Sequence, residues 1–225
     1  MPENILSILL SARTENNNPL SEHLIRDEIV TMIWAGHETT YNALEWAWYE
    51  ISRHPRVDSR LIAELDAVLE GHPPNGANVQ DLKYTEMVFA ETLRLYPPAW
   101  ILGRWALNDD SLDSGVRIPR GSQVFVIPYV VHRDPRFFPD PERFDPERFS
   151  PGSKAGRPPF SYFPFGAGQR VCIGEHFGKM EGILTLATIA QQCKLTLVPG
   201  QHVTPKPLLT LRPEHDIMMR VTRRS

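Results

Sequence analysis

The apolar residues near the start of the chain recur with the period of an α-helix. From Leu24 to Ile51 they lie three and four positions apart, and Ser21 stands where its side chain can cap the first turn. Pro55 ends the pattern. The spacing therefore predicts one helix of about 30 residues, roughly 45 Å long, which is enough to cross a whole domain.

The pattern changes twice further along the chain. Two more segments of helical period, 55–70 and 81–95, are followed by short β-rich runs, of which 124–127 is the clearest. The proline- and phenylalanine-rich stretch 135–164 is expected to be ordered coil packed on the core. We expect a last long helix over 173–192 and β-hairpins after it. The predicted fold class is mainly α with small β-sheets (α+β).

The composition is that of an ordinary globular protein. The chain has 225 residues, of which 41% are hydrophobic, and a formal net charge of -3. It contains no apolar run long enough to span a membrane and no signal peptide after Met1, so we expect a cytoplasmic protein without a membrane anchor. The balanced charge argues against a nucleic-acid partner. Two cysteines, Cys172 and Cys193, are too few for a disulfide framework.

The glycine-rich segment around Cys172 has the residues that a metal-bound thiolate requires. Thiols are mostly protonated at neutral pH, so a metal-bound thiolate needs the metal and positive potential around it. Gly166, Gly168 and Gly174 let the backbone curl around the sulfur and present N–H groups to it. The predicted helix after them would direct its positive end towards Cys172.

Two further side chains would complete a haem site in this segment. Arg170 is placed to pair with a haem propionate, and Phe165 to shield the sulfur and tune the potential of the iron. Two simpler interpretations are a small buried cysteine and a dinucleotide-binding loop. The dinucleotide pattern fails because its third glycine falls at position 174 rather than 171.

The predicted long helix contains a second unusual segment, Ala35-Gly36-His37-Glu38-Thr39-Thr40. A glycine followed by two threonines is unfavourable inside a helix. The Thr39 hydroxyl can take over the hydrogen bond of the Ala35 carbonyl, and the small Ala35 and Gly36 leave a groove for a flat cofactor and dioxygen. Glu38 and Thr39 are then placed to relay protons. The simpler alternative is a glycine kink with solvated polar residues.

The segment 165–174 matches Phe-x-x-Gly-x-Arg-x-Cys-x-Gly at every fixed position. It resembles the cysteine pocket of the cytochrome P450 superfamily of haem-thiolate monooxygenases. The resemblance implies that Cys172 binds the iron of haem b, that Glu38 is the acid and Thr39 the alcohol of the oxygen-activation motif, and that Arg104 makes a second propionate contact. It also places His132 near a propionate, although a packed or capping histidine is an equally good interpretation.

The resemblance gives a role to Glu91 and Arg94, which lie three positions apart in the third predicted helix. Alone, such a pair is usually a surface salt bridge of little consequence. In the family the matching residues form a buried network with an arginine of the coil. Arg148 is its natural counterpart here, and Arg143 is the second choice. We assign this set to folding around haem rather than to chemistry.

The resemblance implies an enzyme that inserts one oxygen atom from O2 into an apolar organic substrate. Electrons would come from a separate ferredoxin or flavodoxin, docked near Cys172, where Arg170, Lys179, Lys154 and Arg157 offer positive charge. Two alternatives stay open. One is a peroxide-using haem-thiolate enzyme, and the other is a non-catalytic haem-binding remnant.

Family members are usually close to twice as long as this chain. We therefore expect residues 1–225 to be the C-terminal haem-binding portion of a cytochrome P450 domain, with the N-terminal half absent. The chain would be a fragment, one half of a split enzyme with a complementary N-terminal half, or a shortened protein, and we favour the first. In each case the long helix should expose apolar surface that includes some of Trp34, Trp46 and Trp48.

Overall fold

The computed structural model describes residues 4–224, except for the side chain of Lys154, so the charge expected there lies outside the described part. The chain forms two compact units, Met1–Thr39 and Thr40–Ser225. The boundary falls within one continuous helix, α2, which begins at Glu22 and ends at Arg53. This is the long helix that the sequence predicts.

The first unit contains α1 (Ile5–Ser11) and the first half of α2. The side chain of Asn4 caps α1 by accepting a hydrogen bond from the Ser7 amide at 2.9 Å. The Ser21 hydroxyl accepts from the Leu24 amide at 3.2 Å, which confirms the predicted cap of α2. Sequence analysis did not predict α1.

Three helices of the second unit have the predicted positions. They are α3 (Pro55–Leu69), α4 (Lys83–Leu95, preceded by a 3-10 turn at Val79–Asp81) and, near the C-terminus, α7 (Glu175–Gln192). A left-handed residue, Glu70, ends α3, and Gly71 follows with a φ of 83°. Among the described residues, no helix combines the length and the apolarity needed to cross a membrane.

The strands form small antiparallel pairs. The first pair joins β1 (Leu102–Trp105) to β4 (Gln123–Val126), and β2 (Asp110–Ser111) pairs with β3 (Arg117–Ile118) between them. After α7, β5 (Cys193–Leu197) pairs with β8 (Met219–Arg223), and β6 (Pro205–Pro207) pairs with β7 (Leu211–Pro213). Helices with small sheets confirm the predicted fold class.

The coil between the strands and α7 is ordered and packed on the core, as predicted. It contains the one-turn helices α5 (Pro128–Val131) and α6 (Pro151–Lys154), and the buried side chains of Phe138, Phe144 and Phe149. Helices α4 and α7 cross closely, because a Cβ atom added at Gly182 would lie 2.3 Å from the ring of Phe89. This core supports the segment that carries Cys172.

The sequence predicts that α2 exposes some of its three tryptophans, and the structure exposes one. Trp34, in the first unit, is 62% exposed, whereas Trp46 and Trp48, in the second, are buried. The Trp46 ring stacks on Tyr96 with 4.0 Å between ring centroids, and its indole N–H donates to the Leu211 carbonyl at 3.3 Å. Trp46 and Trp48 therefore belong to the core of the second unit.

Candidate functional site

Cys172 lies in a loop, which we call the cysteine loop (residues 163–174), that leads directly into α7. The Gly166 amide donates to the Phe163 carbonyl at 3.0 Å, and the Cys172 amide donates to the Phe165 carbonyl at 2.9 Å. Gly166 and Gly168 have φ values of 75° and 69°, which side-chain-bearing residues rarely adopt. The loop therefore needs these glycines to fold back on itself.

The end of the cysteine loop keeps the space beside the sulfur open. Gly174 is the N-cap residue of α7, so Cys172 lies close to the positive end of that helix. A Cβ atom added at Gly174 would lie 3.7 Å from the Cys172 Sγ atom. Lys179 lies in the first turns of α7, and its Nζ atom is 5.4 Å from the centre of the Phe165 ring.

The surface around Cys172 is apolar and exposed. Cys172 itself is exposed, which argues against a small buried cysteine. Neighbouring apolar side chains are exposed as well: Val171 by 45%, Phe177 by 63% and Ile173 by 94%. A thiol within an apolar surface fits a flat, apolar prosthetic group whose metal takes a soft ligand. Within residues 4–224, apart from the side chain of Lys154, no cluster of three or more His, Cys, Asp or Glu could hold a metal ion by itself.

Two arginines predicted to bind propionates lie on the surface. Arg170 is exposed in the cysteine loop, and Arg104 is exposed on β1, where its guanidinium donates to the Gly103 carbonyl at 2.8 Å. β1 runs beside the loop, because a Cβ atom added at Gly166 would lie 3.7 Å from the Leu102 Cδ1 atom. The structure thus brings β1 and the cysteine loop together.

His132 is completely buried at the end of α5. Its Nε2 atom accepts a hydrogen bond from the Phe163 amide, the first of the cysteine loop, at 3.0 Å. Burial lowers the pKa of His132 to about 3, and the charge of Arg94 adds to this lowering. The ring is therefore neutral at physiological pH and packed, as the alternative interpretation of the sequence has it. The contact with a propionate stays a prediction.

Glu91, Arg94 and Arg148 form what we call the buried network. The Arg94 guanidinium donates to the Glu91 carboxylate at 2.7 and 2.9 Å, and both side chains are completely buried. Glu91 also accepts from the Asp145 amide at 2.8 Å and lies 3.4 Å from Arg148 Nε. This geometry confirms the set predicted from the sequence, with Arg148 rather than Arg143 as the third side chain.

The buried network also binds backbone groups of the coil. Arg94 donates to the His132 carbonyl at 2.8 Å and to the Arg143 carbonyl at 3.2 Å. Arg143 thus takes part through its backbone, which the sequence did not indicate. The network consequently joins α4 to the end of α5 and to the coil that follows it.

The Ala35–Thr40 segment lies in α2 without breaking it. The Thr39 hydroxyl donates to the Ala35 carbonyl at 2.7 Å, which is the contact that their spacing predicts. Glu38 is half-buried, and His37 is exposed. Within the second unit, the Thr40 hydroxyl donates to Glu181 of α7 at 3.2 Å, a contact that sequence analysis missed.

The chain is similar in sequence and in structure to known proteins. Residues 1–221 match the cytochrome P450 family. Cyclooctatin synthase from Streptomyces melanosporofaciens is 43% identical over 92% of this chain and 45% of its own length. Pentalenene oxygenase from Streptomyces avermitilis is 36% identical over 99% of this chain and 49% of its own length. The crystal structure of a cytochrome P450 (CYP102L1) superposes with a TM-score of 0.91 and 32% identity over 98% of this chain and 50% of that one.

A mainly helical fold whose cysteine loop leads into the last long helix defines a haem-thiolate type of protein. The chain belongs to the cytochrome P450 family and corresponds to the C-terminal portion of its fold. The family implies haem with a cysteine thiolate ligand. The chain spans about half the length of the curated relatives that it matches.

Proposed function

We propose that residues 1–225 form the haem-binding portion of a cytochrome P450 monooxygenase and that Cys172 is the axial ligand of haem b. The observation that carries this proposal is the exposed thiol of Cys172, which lies beside Gly174, the N-cap residue of α7, and among exposed apolar side chains. The family match and the name of the pentalenene oxygenase support oxygen insertion as the reaction.

The residues of the cysteine loop would bind the group and tune it. Arg170 and Arg104, both exposed, are candidates to pair with the propionates. Phe165, within the loop, packs against the core, and Gly166 and Gly168 adopt the positive φ values that let the loop turn back before Cys172. When bound, haem with a thiolate ligand supplies the reductive activation of O2.

Glu38 and Thr39 are the residues that we assign to proton transfer. Thr39 holds its hydroxyl on the Ala35 carbonyl, so its oxygen keeps a fixed direction and can accept a proton-donating partner. Glu38 is half-buried and adjacent in sequence, and we assign its carboxyl group to the proton relay. Ala35 and Gly36 are small and exposed, which leaves the helix surface open there.

Electrons would come from a separate ferredoxin or flavodoxin that docks near the cysteine loop, and the substrate would be an apolar organic molecule. Of the cations expected to attract the donor, Arg170 is exposed. Lys179 forms an ion pair with Glu175 at 2.5 Å, and Arg157 is half-buried and donates to the Arg148 carbonyl at 2.6 Å. Arg170 is thus the cation best placed to steer an acidic partner.

The test is the absorption spectrum of the purified chain after addition of haem, reduction and exposure to carbon monoxide. We expect the red-shifted Soret band of a thiolate-bound haem, its loss in Cys172→Ser, and its retention in the control Cys193→Ser, whose sulfur lies in β5. Retention of the band in Cys172→Ser would refute the ligand assignment. Oxidation of substrates with peroxide but with no reductase would favour the peroxide-using alternative.

A further inference from the structure

His132 is fixed on several sides in the core of the second unit. Its amide donates to the Pro128 carbonyl and its carbonyl accepts from Arg94, both at 2.8 Å. Its ring packs against Tyr162 and Phe163, with 5.2 Å between ring centroids in each case. Neither the backbone nor the ring of His132 can therefore shift without disturbing packed neighbours.

The ring of His132 acts as a hydrogen-bond acceptor. Because Nε2 accepts from the Phe163 amide at 3.0 Å, that nitrogen is unprotonated, and the neutral ring carries its proton on Nδ1. Burial lowers the pKa of this ring far below neutrality, against the opposing effect of the Arg94 and Leu93 backbone groups. The acceptor form therefore persists at every pH at which the protein would work.

The bond from Phe163 is the first of a series that ends at Cys172. The Phe163 carbonyl accepts from Gly166, and the Phe165 carbonyl accepts from the Cys172 amide at 2.9 Å. Phe163 is itself buried, so its amide would have no solvent to replace the histidine. Since Arg94 holds the His132 carbonyl, the series begins on helix α4.

We propose that His132 is a positioning residue, which accepts the Phe163 amide and thereby fixes the start of the cysteine loop and the place at which Cys172 presents its thiol. This role differs from the propionate contact suggested by the sequence. Holding the loop requires no haem, whereas the consequence for haem ligation rests on the proposed function.

The first test measures hydrogen exchange of individual amides in the full chain without haem. His132→Phe fills the same space but cannot accept, and His132→Gln places an amide oxygen near the former Nε2. We expect exchange at Phe163 and Cys172 to be about tenfold faster in His132→Phe and to return in His132→Gln to within about threefold of the original.

The matched control for this test is His54→Phe. His54 is half-buried, its Nδ1 atom contacts the Glu50 carbonyl at 2.8 Å, and its ring lies 5.3 Å from that of Phe144, so the contacts seen for its ring are with α2 and the coil rather than with Phe163. This variant should leave exchange at Phe163 unchanged. Uniform acceleration throughout α4 and α7 in His132→Phe, or no acceleration at Phe163, would overturn the proposal.

A second measurement does not depend on the folding of any variant. In the unaltered chain, nitrogen NMR should show His132 with a protonated Nδ1 and an unprotonated Nε2, and the opposite tautomer would overturn the proposal. With haem added, His132→Phe should lose at least about half of the thiolate-type Soret band, and His132→Gln should retain it. If the unaltered chain lacks that band while the exchange pattern holds, the proposed function fails and the positioning role stands.

Discussion

The buried network and the cysteine loop differ in the solvent exposure of their functional side chains. Glu91 and Arg94 are completely buried and bind each other and three backbone groups of the coil. Cys172 is exposed among apolar side chains that are exposed as well. Glu91 and Arg94 find their partners within the chain, whereas Cys172 presents its thiol to solvent. Stability should therefore depend on the first, and ligand binding on the second.

The largest expected effect comes from removing the carboxylate of the buried network. Glu91→Ala leaves the buried guanidinium of Arg94 without its counter-charge and the Asp145 amide without its acceptor. Breaking one partner of a buried ion pair costs about 3–5 kcal/mol of unfolding free energy. Urea unfolding followed by circular dichroism measures this loss.

Glu142→Ala is the control for that experiment. Glu142 also pairs with an arginine, Arg133, at 3.2 Å, but its side chain is 72% exposed. Solvent screens such a pair, so its loss should cost less than about 1 kcal/mol. Equal losses in the two variants would show that burial does not distinguish the network from an ordinary surface pair.

Periodicity explains which parts of the fold could be predicted from the sequence. Helix α2, with Ser21 as its cap, was predicted because its apolar positions repeat over many turns. α1 has only seven residues, and its apolar side chains are about half exposed, so burial imposes no such pattern on it. Its signal was the capping side chain of Asn4.

Residues of the candidate site could be predicted where they are close together in one helix or match the family pattern. Glu91 and Arg94 are three positions apart on one helix, and Arg148 followed from the resemblance. The bond between His132 and Phe163 joins two coil segments that lie 31 positions apart, so neither helical nor strand period indicates it. Only the folded coil shows that the two residues meet.

Acidification should weaken the region that contains the buried network. The pKa of His132 is about 3 in the folded protein, against 6.5 for an unperturbed histidine, because burial disfavours its charged form. Below about pH 6.5 the unfolded chain therefore binds a proton that the folded chain does not. This ring should cost about 1.4 kcal/mol of stability for each pH unit below that value, until the pH approaches 3.

The contribution of His132 is the difference between the unaltered chain and His132→Gln, which cannot take up that proton. Urea unfolding at about pH 6.5 and about pH 4.5 should show the unaltered chain losing some 2–3 kcal/mol more than the variant. Parallel losses would mean that His132 is protonated in the folded protein.

Helix α7 connects the two regions, and its glycines allow a direct comparison. A Cβ atom at Gly182 would lie 2.3 Å from the Phe89 ring in the core, whereas one at Gly178 would lie 3.8 Å from the Phe165 ring beside the cysteine loop. Gly182→Ala should therefore cost about 1–3 kcal/mol through overpacking. Gly178→Ala should be neutral or stabilising by up to about 1 kcal/mol through helix propensity. If thermal unfolding gave the opposite order, the close crossing of α4 and α7 would be wrong.

The smallest expected effect on the chain without haem comes from Cys172→Ser. Because the thiol is exposed, its replacement should change the unfolding free energy by less than about 0.5 kcal/mol. Added haem should then raise the thermal midpoint of the unaltered chain, since a ligand that binds only the folded state stabilises it, and should raise that of Cys172→Ser much less. The control Glu142→Ala, at an exposed residue that pairs with Arg133, should keep the full response to haem. An equal response in Cys172→Ser would place the haem ligand elsewhere. The contrast between the buried network, which pairs within the chain, and the cysteine loop, which binds a ligand, would then be lost.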